Sequence, residues 1–270
     1  MPSPHAPLRL RDVGAEAALI AGGGRAVLLQ LANPAIGHAI ARHSGFASDP
    51  VRRLRHTLAF VYALVYGTPE QVAAVRAGVN RRHAPVKYDA QHGGGTPTEA
   101  AVPSYDAADP ALQLWVAATL YDTAVTVRRE LIGPLSPSDL DAIYLDYEII
   151  GTALQVPPGM WPRDRAAFDE YWSGQLGGLR VDDTVRGVAD ALLHPRSGPI
   201  WLRAGMPLAR LVTAGLLPLE VRAQFGLRWG PRRERRFVLA LAVLRGVNRV
   251  LPRRVREWPK TMMLSHISFT

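Results

Sequence analysis

Arg53, His56 and Thr57 occupy positions i, i+3 and i+4 of one helical run, so their side chains share a face. A guanidinium, an imidazole and a hydroxyl held side by side suit the handling of small oxygen species. The imidazole titrates near ~6.5, close enough to neutrality for its surroundings to decide its charge. The guanidinium can stabilise a peroxide anion, and the hydroxyl can relay a proton or position water. Phe60 and Leu64 continue the same face and would make it the polar end of an apolar groove. His83, just past the following helix, would then supply an iron ligand from the far side, an arrangement that suits a haem held between helices.

An iron-bound histidine needs a helix or helix-end position, an apolar slot for the macrocycle and groups that fix its ring. Val72, Val75 and Val79 give the helix before His83 an apolar edge, and Arg81, Arg82 and Lys87 can pair with haem propionates. Arg82, Lys87, Phe60 and Leu64 therefore join His83 as candidate cofactor contacts. A lone histidine in such a place is more often structural, and Arg52, Arg53 and Arg55 also read as a solvated cluster at a helix start. Residue types alone leave both readings open.

The 270 residues include no cysteine, which excludes disulfides, covalent haem attachment through Cys-x-x-Cys-His, thiolate ligation, iron–sulfur clusters and cysteine nucleophiles. Any metal is left to nitrogen and oxygen ligands. The chain also lacks the Glu-x-x-His pairs of a ferritin-like di-iron site and the His-Glu-x-x-His of a zinc protease. Gly22-Gly23-Gly24 has neither the spacing nor the Lys-Ser/Thr of a phosphate loop. The net charge of +9 is carried almost wholly by arginine, with Lys87 and Lys260 the only lysines, a bias that follows base composition as readily as function. The N-terminal residues do not follow the charged, apolar and cleavage-site order of a signal peptide. The longest apolar stretches, such as Phe237 to Leu244, are too short to span a bilayer. The expectation is a soluble, cytoplasmic chain without a transmembrane segment.

Glycine and proline leave helix-sized segments between them, almost none with period-two alternation, so the expected fold is all-α. It is read as one continuous multi-helix domain over 1–270, with its core at about 15–255, enclosing the haem pocket. The spacing predicts helices at 13–22, 24–43, 50–66, 69–82, 108–131, 136–154, 163–176, 181–193, 200–214, 218–225 and 231–250. Thr68-Pro69, Asp109-Pro110 and Ser136-Pro137 each place a capping residue before a proline at the first helical position. In the helix over 50–66, Leu54, Leu58, Val61 and Val65 form a second apolar stripe, which predicts burial between neighbours. The stretch from Tyr88 to Pro103, rich in glycine, reads as a flexible loop. Near the C-terminus, arginines flank the apolar centre of a helix between Arg232 and Arg256. Such a helix either docks as an ordinary element with basic ends or sits on an anionic membrane or phosphate.

Several runs together resemble the mpaB-type and latex-clearing-protein (rubber oxygenase) catalytic-domain family, long classed as a domain of unknown function. They are Gly-Gly-Gly-Arg-Ala-Val-Leu-Leu-Gln-Leu-Ala-Asn-Pro at 22–34, Arg-Leu-Arg-His-Thr at 53–57, Tyr-Gly-Thr-Pro-Glu at 66–70, Val-Asn-Arg-Arg-His-Ala-Pro-Val at 79–86, Tyr-Asp-Ala-Ala-Asp-Pro-Ala-Leu-Gln-Leu-Trp-Val at 105–116 and Gly-Pro-Leu-Ser at 133–136. Each is weak alone, but their order and spacing are specific. The resemblance implies an all-α protein with non-covalent haem b, its proximal ligand in the His-x-x-Val motif, here His83. The rubber oxygenases carry Arg-x-x-Lys-Thr on the distal helix, which aligns with Arg53, His56 and Thr57. Some members of the family use dioxygen to cleave double bonds of isoprenoid chains.

The chain departs from that pattern in three places. Asn33-Pro34 stands where relatives often have His-Pro, and Trp115-Val116-Ala117 where they often have Trp-Val-His. His56 replaces the lysine of the rubber enzymes and is the better iron ligand at neutral pH, because imidazole is readily neutral. The expected resting state has both His56 and His83 on iron. The resulting reading is a haem b oxidoreductase that activates dioxygen or peroxide against an apolar, isoprenoid-like substrate in a pocket lined by Phe60, Leu64 and Leu114 to Thr119. No nucleic-acid partner is expected. The alternative is a non-catalytic haem carrier or a basic helical protein that binds nucleic acid or a membrane surface.

Overall fold

Prolines and small polar caps start most of the helices in the computed structural model, which describes residues 6–42, 50–88, 104–195 and 199–267. The order begins with α1 (Leu10–Val13), a 3-10 segment (Ala17–Gly22), α2 (Gly23–Leu31), α3 (Pro34–Arg42), α4 (Pro50–Tyr66) and α5 (Pro69–His83). A short antiparallel ribbon follows, in which β1 (Lys87–Tyr88) pairs with β2 (Tyr105–Asp106), Lys87 opposite Asp106 and Tyr88 opposite Tyr105. After it come α6 (Pro110–Leu131), α7 (Pro137–Gly151), α8 (Arg165–Gly178), α9 (Asp183–Leu193), α10 (Ile200–Leu216), α11 (Leu219–Gln224), α12 (Pro231–Val250), α13 (Arg253–Arg256) and α14 (Trp258–Ser265). The fold is all-α apart from the ribbon.

The central element is α6, which packs against α2, α7, α12 and the 3-10 segment. Its N-terminal half carries Leu114, Trp115, Ala117 and Ala118 into the main core. Tyr121 continues that face and meets Phe168 at 4.8 Å and Tyr144 and Tyr147 at 5.2 Å between ring centroids, all edge-on. The C-terminal half of α6 brings Val127 and Leu131 into a second cluster with Val212, Leu216 and Leu241.

The glycine run is an architectural device. A Cβ at Gly22 would lie 2.4 Å from Cγ2 of Thr123, and one at Gly24 would lie 2.1 Å from Oγ1 of Thr213, so only glycine lets the start of α2 meet α6 and α10 this closely. Arg25 follows it into the interior, donating from Nη1 to Thr123 Oγ1 at 2.7 Å and from Nε to the Leu216 carbonyl at 2.8 Å. Its Nη2 pairs with Asp122 at 2.5 Å.

Four expectations change. The helix predicted over 24–43 breaks at Ala32–Asn33, where the Asn33 side chain accepts hydrogen bonds from the backbone of Ala35 and Ile36 and caps α3. Asn33 is therefore a helix cap. The segment predicted as a helix over 13–22 is a 3-10 turn for most of its length. Burial of α4 on two sides holds only for its C-terminal part: Tyr62, Ala63 and Leu64 are buried, whereas Leu54 is exposed. The last two helices and the ribbon carry too few residues to show a period. Of the glycine-rich loop, 89–103 lies outside the described residues.

Candidate active site

A tight reversal sets the two helices that carry the candidate histidines side by side. Gly67 makes the turn, since a Cβ there would lie 2.6 Å from the Ala63 carbonyl. Thr68 then starts α5 with a reciprocal cap: its hydroxyl accepts from the Gln71 backbone at 3.3 Å, and the Gln71 side chain accepts from the Thr68 backbone at 3.0 Å. Helices α4 and α5 pack against each other from this turn, and the start of α4 meets the end of α5. There Nη2 of Arg82 approaches Nε2 of His56 to 3.5 Å. His83 is the last residue of α5.

His83 is half-buried, and its Nδ1 is fully buried with no hydrogen-bond partner. Burial, then the charges of Arg53 and Arg82, push its pKa below the ordinary histidine value, with the Ala107 backbone acting in the opposite sense. His56 is more exposed, yet desolvation and then Arg82, Arg52, Arg55 and Arg53 lower its pKa as well. Both rings are therefore held neutral at physiological pH, the form that ligates metal. Arg53 is exposed as a residue, but its guanidinium lies deep enough among neighbouring atoms, beside Tyr105, for desolvation to bring its pKa down to about 10. It stays charged at neutral pH.

The turn after α5 is built to hold this corner. The Ala107 backbone donates to the Val86 carbonyl at 3.0 Å, tying β2 to the residues after His83. The Ala107 carbonyl accepts from Gln113 at 2.9 Å. Gln113 in turn accepts from the Gln155 backbone at 2.8 Å, and the Gln155 side chain donates to Asn80 at 3.0 Å, one turn before His83. A chain of amides thus braces the end of α5 against the start of α6. An open cavity of about 380 Å³, lined by Lys87, Tyr88, Ser104, Tyr105, Asp106 and Asp109, adjoins the corner.

The other sequence candidates are spread more widely. Thr57 is exposed on α4, and Phe60 is half-buried against the main core. Leu64 lies within that core, as do Leu114, Trp115, Ala117 and Ala118, while Thr119 is fully buried beside them. Lys87 is turned to Asp106, at 2.9 Å, across the ribbon. Tyr105, Gln113, Gln155 and Asn80 were not legible as site residues. For Asn80, Tyr105 and Gln113 the signal was a polar side chain within the runs 79–86 and 105–116, whereas Gln155 lies outside both.

Residues 10–246 match the family described as the ER-bound oxygenase mpaB/B'/rubber oxygenase catalytic domain. The chain belongs to this family. It is similar to uncharacterized protein Rv2237 of Mycobacterium tuberculosis and uncharacterized protein Mb2261 of Mycobacterium bovis, each 39% identical over 236 residues that cover 84% of this chain and 88% of the relative. No solved structure matches. The matched span of the mpaB/rubber oxygenase domain contains the whole α4–α5 corner, the ribbon and α6. Among the described residues no group of three or more histidine, aspartate or glutamate side chains is placed to hold a metal ion.

Proposed function

We propose that this member of the family is a haem b-dependent oxygenase that acts on an apolar organic substrate, isoprenoid-like in the manner that the rubber oxygenase name suggests. The observation that carries the reading is the buried, unpartnered Nδ1 of a neutral His83, next in sequence to an arginine that touches a second neutral histidine. The donor set fits haem: two rings, four arginines to balance propionates, and half-buried Phe60, Val72, Val75 and Val79 on the helices between them. Bound there, the group supplies the dioxygen chemistry that side chains lack.

In this reading His83 and His56 would hold the iron, with His56 the more exposed of the two. Arg53 stabilises negative charge as it develops on the reacting oxygen, and Thr57 passes or positions a proton. Arg82 keeps His56 neutral and, with Lys87, faces the propionates. Phe60 forms the apolar wall, with Leu64 supporting it from the core.

The test is titration of the purified protein with haemin beside His83→Ala and His56→Ala. The expected result is a Soret band abolished by His83→Ala and converted from a low-spin to a high-spin form by His56→Ala. A wild-type protein that takes up no haemin, or a band indifferent to His83, overturns the proposal.

A further inference from the structure

Helix α12 is apolar on two opposite sides. Phe237, Leu241, Leu244 and Asn248, spaced i, i+4, i+7 and i+11, turn inward, and the helix packs on α6 and α10. The outward side carries a second stripe at nearly the same spacing, Leu239, Val243, Val247 and Val250, which are 65%, 56%, 48% and 78% exposed. A stripe of this kind on a solvated helix marks an unmet contact.

The charges around it identify the contact. Between Pro231 and Arg256 the chain has nine arginines and a single acid, Glu234, and of the nine Arg253 and Arg256 are paired with Glu257 and Glu16. Arg232, Arg235 and Arg236 crowd one end of the stripe, and Arg249 and Arg254 stand at the other, all exposed. Trp258, 58% exposed, follows directly. We propose that this face of α12 lies on an anionic lipid bilayer, with the leucine and valines in the acyl boundary and the arginines extended to lipid phosphates. An exposed tryptophan two residues past the last of these arginines is suited to the headgroup layer.

Other occupants fit less well. Nucleic acid would satisfy the arginines but leave four aliphatic side chains in water, and no aromatic platform lies in the stripe. A second copy would set arginine cluster against arginine cluster whether the helices ran parallel or antiparallel, with Glu234 alone to compensate. The contact is with a surface: no described helix is long and apolar enough to cross a membrane. None of the residues assigned to the haem site lies on α12, so this inference stands or falls separately from that one.

The test is co-sedimentation of the full chain with vesicles of phosphatidylglycerol and phosphatidylcholine in equal parts, and with phosphatidylcholine alone. Binding is expected only to the first, weakening as salt rises. Replacing Arg232, Arg235 and Arg236 together by glutamine should weaken partitioning about 100-fold. Leu239→Glu with Val243→Glu should abolish it while the circular dichroism spectrum and haemin uptake stay unchanged, since both positions are exposed. Absence of vesicle binding overturns the proposal, as does binding indifferent to these variants. A wild-type dimer that the Leu239→Glu, Val243→Glu variant converts to monomer, or tighter binding to duplex DNA than to vesicles, also overturns it.

Discussion

Arg82 stands beside His83 in sequence and beside His56 in space, 3.5 Å from Nη2 to Nε2, so one guanidinium acts on both imidazoles of the site. It lowers the pKa of each, after burial in both cases. Arg82→Gln should therefore raise both histidine pKa values, and the larger rise should be at His56, where Arg82 is the first charge after desolvation. Proton NMR titration of the ring resonances in the haem-free protein measures this directly. Unchanged midpoints would mean that the contact seen here is not kept in solution.

The same shifts set a direction for stability against pH. Both histidines have folded pKa values below the unfolded value near ~6.5, so below that pH the unfolded chain binds more protons than the folded one. Their contribution is whole above pH ~6.5 and is lost as pH falls toward the folded values. Urea unfolding of the haem-free protein should show a lower midpoint at pH 5.5 than at pH 7.5, and His83→Gln should narrow that gap. A gap of the same size in the variant would assign the acid sensitivity to other groups.

Gln113 is 8% exposed and donates to the carbonyl of Ala107 while accepting from the Gln155 backbone. Gln113→Leu keeps the volume but leaves both backbone groups unpaired, at a cost of about 1–3 kcal/mol. It should also weaken haemin binding, because the Ala107 segment is tied to the turn after His83. Denaturant unfolding and haemin titration read the two effects. A variant as stable as wild type with unaltered haemin affinity would show that the amide chain does not hold the corner.

Helices with strong punctuation were legible in the sequence. Thr68-Pro69, Asp109-Pro110 and Ser136-Pro137 open α5, α6 and α7 where the caps require, because the signal is local and chemical. The break at Asn33 was hidden by an apolar period that runs through it, and only the cap decides between one helix and two. The pairing of His56 with Arg82 follows from the tightness of the Gly67 turn, which the sequence marks. Gln113, Gln155 and Asn80 were opaque for a different reason: their meaning comes from partners far along the chain, and no periodicity encodes those. Leu64 and Leu114 show the same limit, because an apolar face on a helix reads the same in sequence whether a ligand or another helix fills it, and here both pack in the main core.

The buried pair of Arg25 and Asp122 permits a test of what the glycine-arginine run is for. Their side chains are 5% and 24% exposed, and burial raises the Asp122 pKa although Arg25 pulls it down. Removing the cation alone strands a carboxylate and leaves Thr123 Oγ1 and the Leu216 carbonyl without their donor. Arg25→Met should cost about 3 kcal/mol, the lower end for a broken buried pair, because Asp122 keeps some access to water. Adding Asp122→Leu should recover much of that loss, since a buried ion pair is often no more stabilising than apolar residues of similar volume. Urea unfolding of the two single variants and the double closes the cycle. Haemin uptake by the double variant should match wild type, because the partners of Arg25 lie on α6 and α10, whereas His83 ends α5. A double variant that is stable yet takes up no haemin would instead place the run at the cofactor.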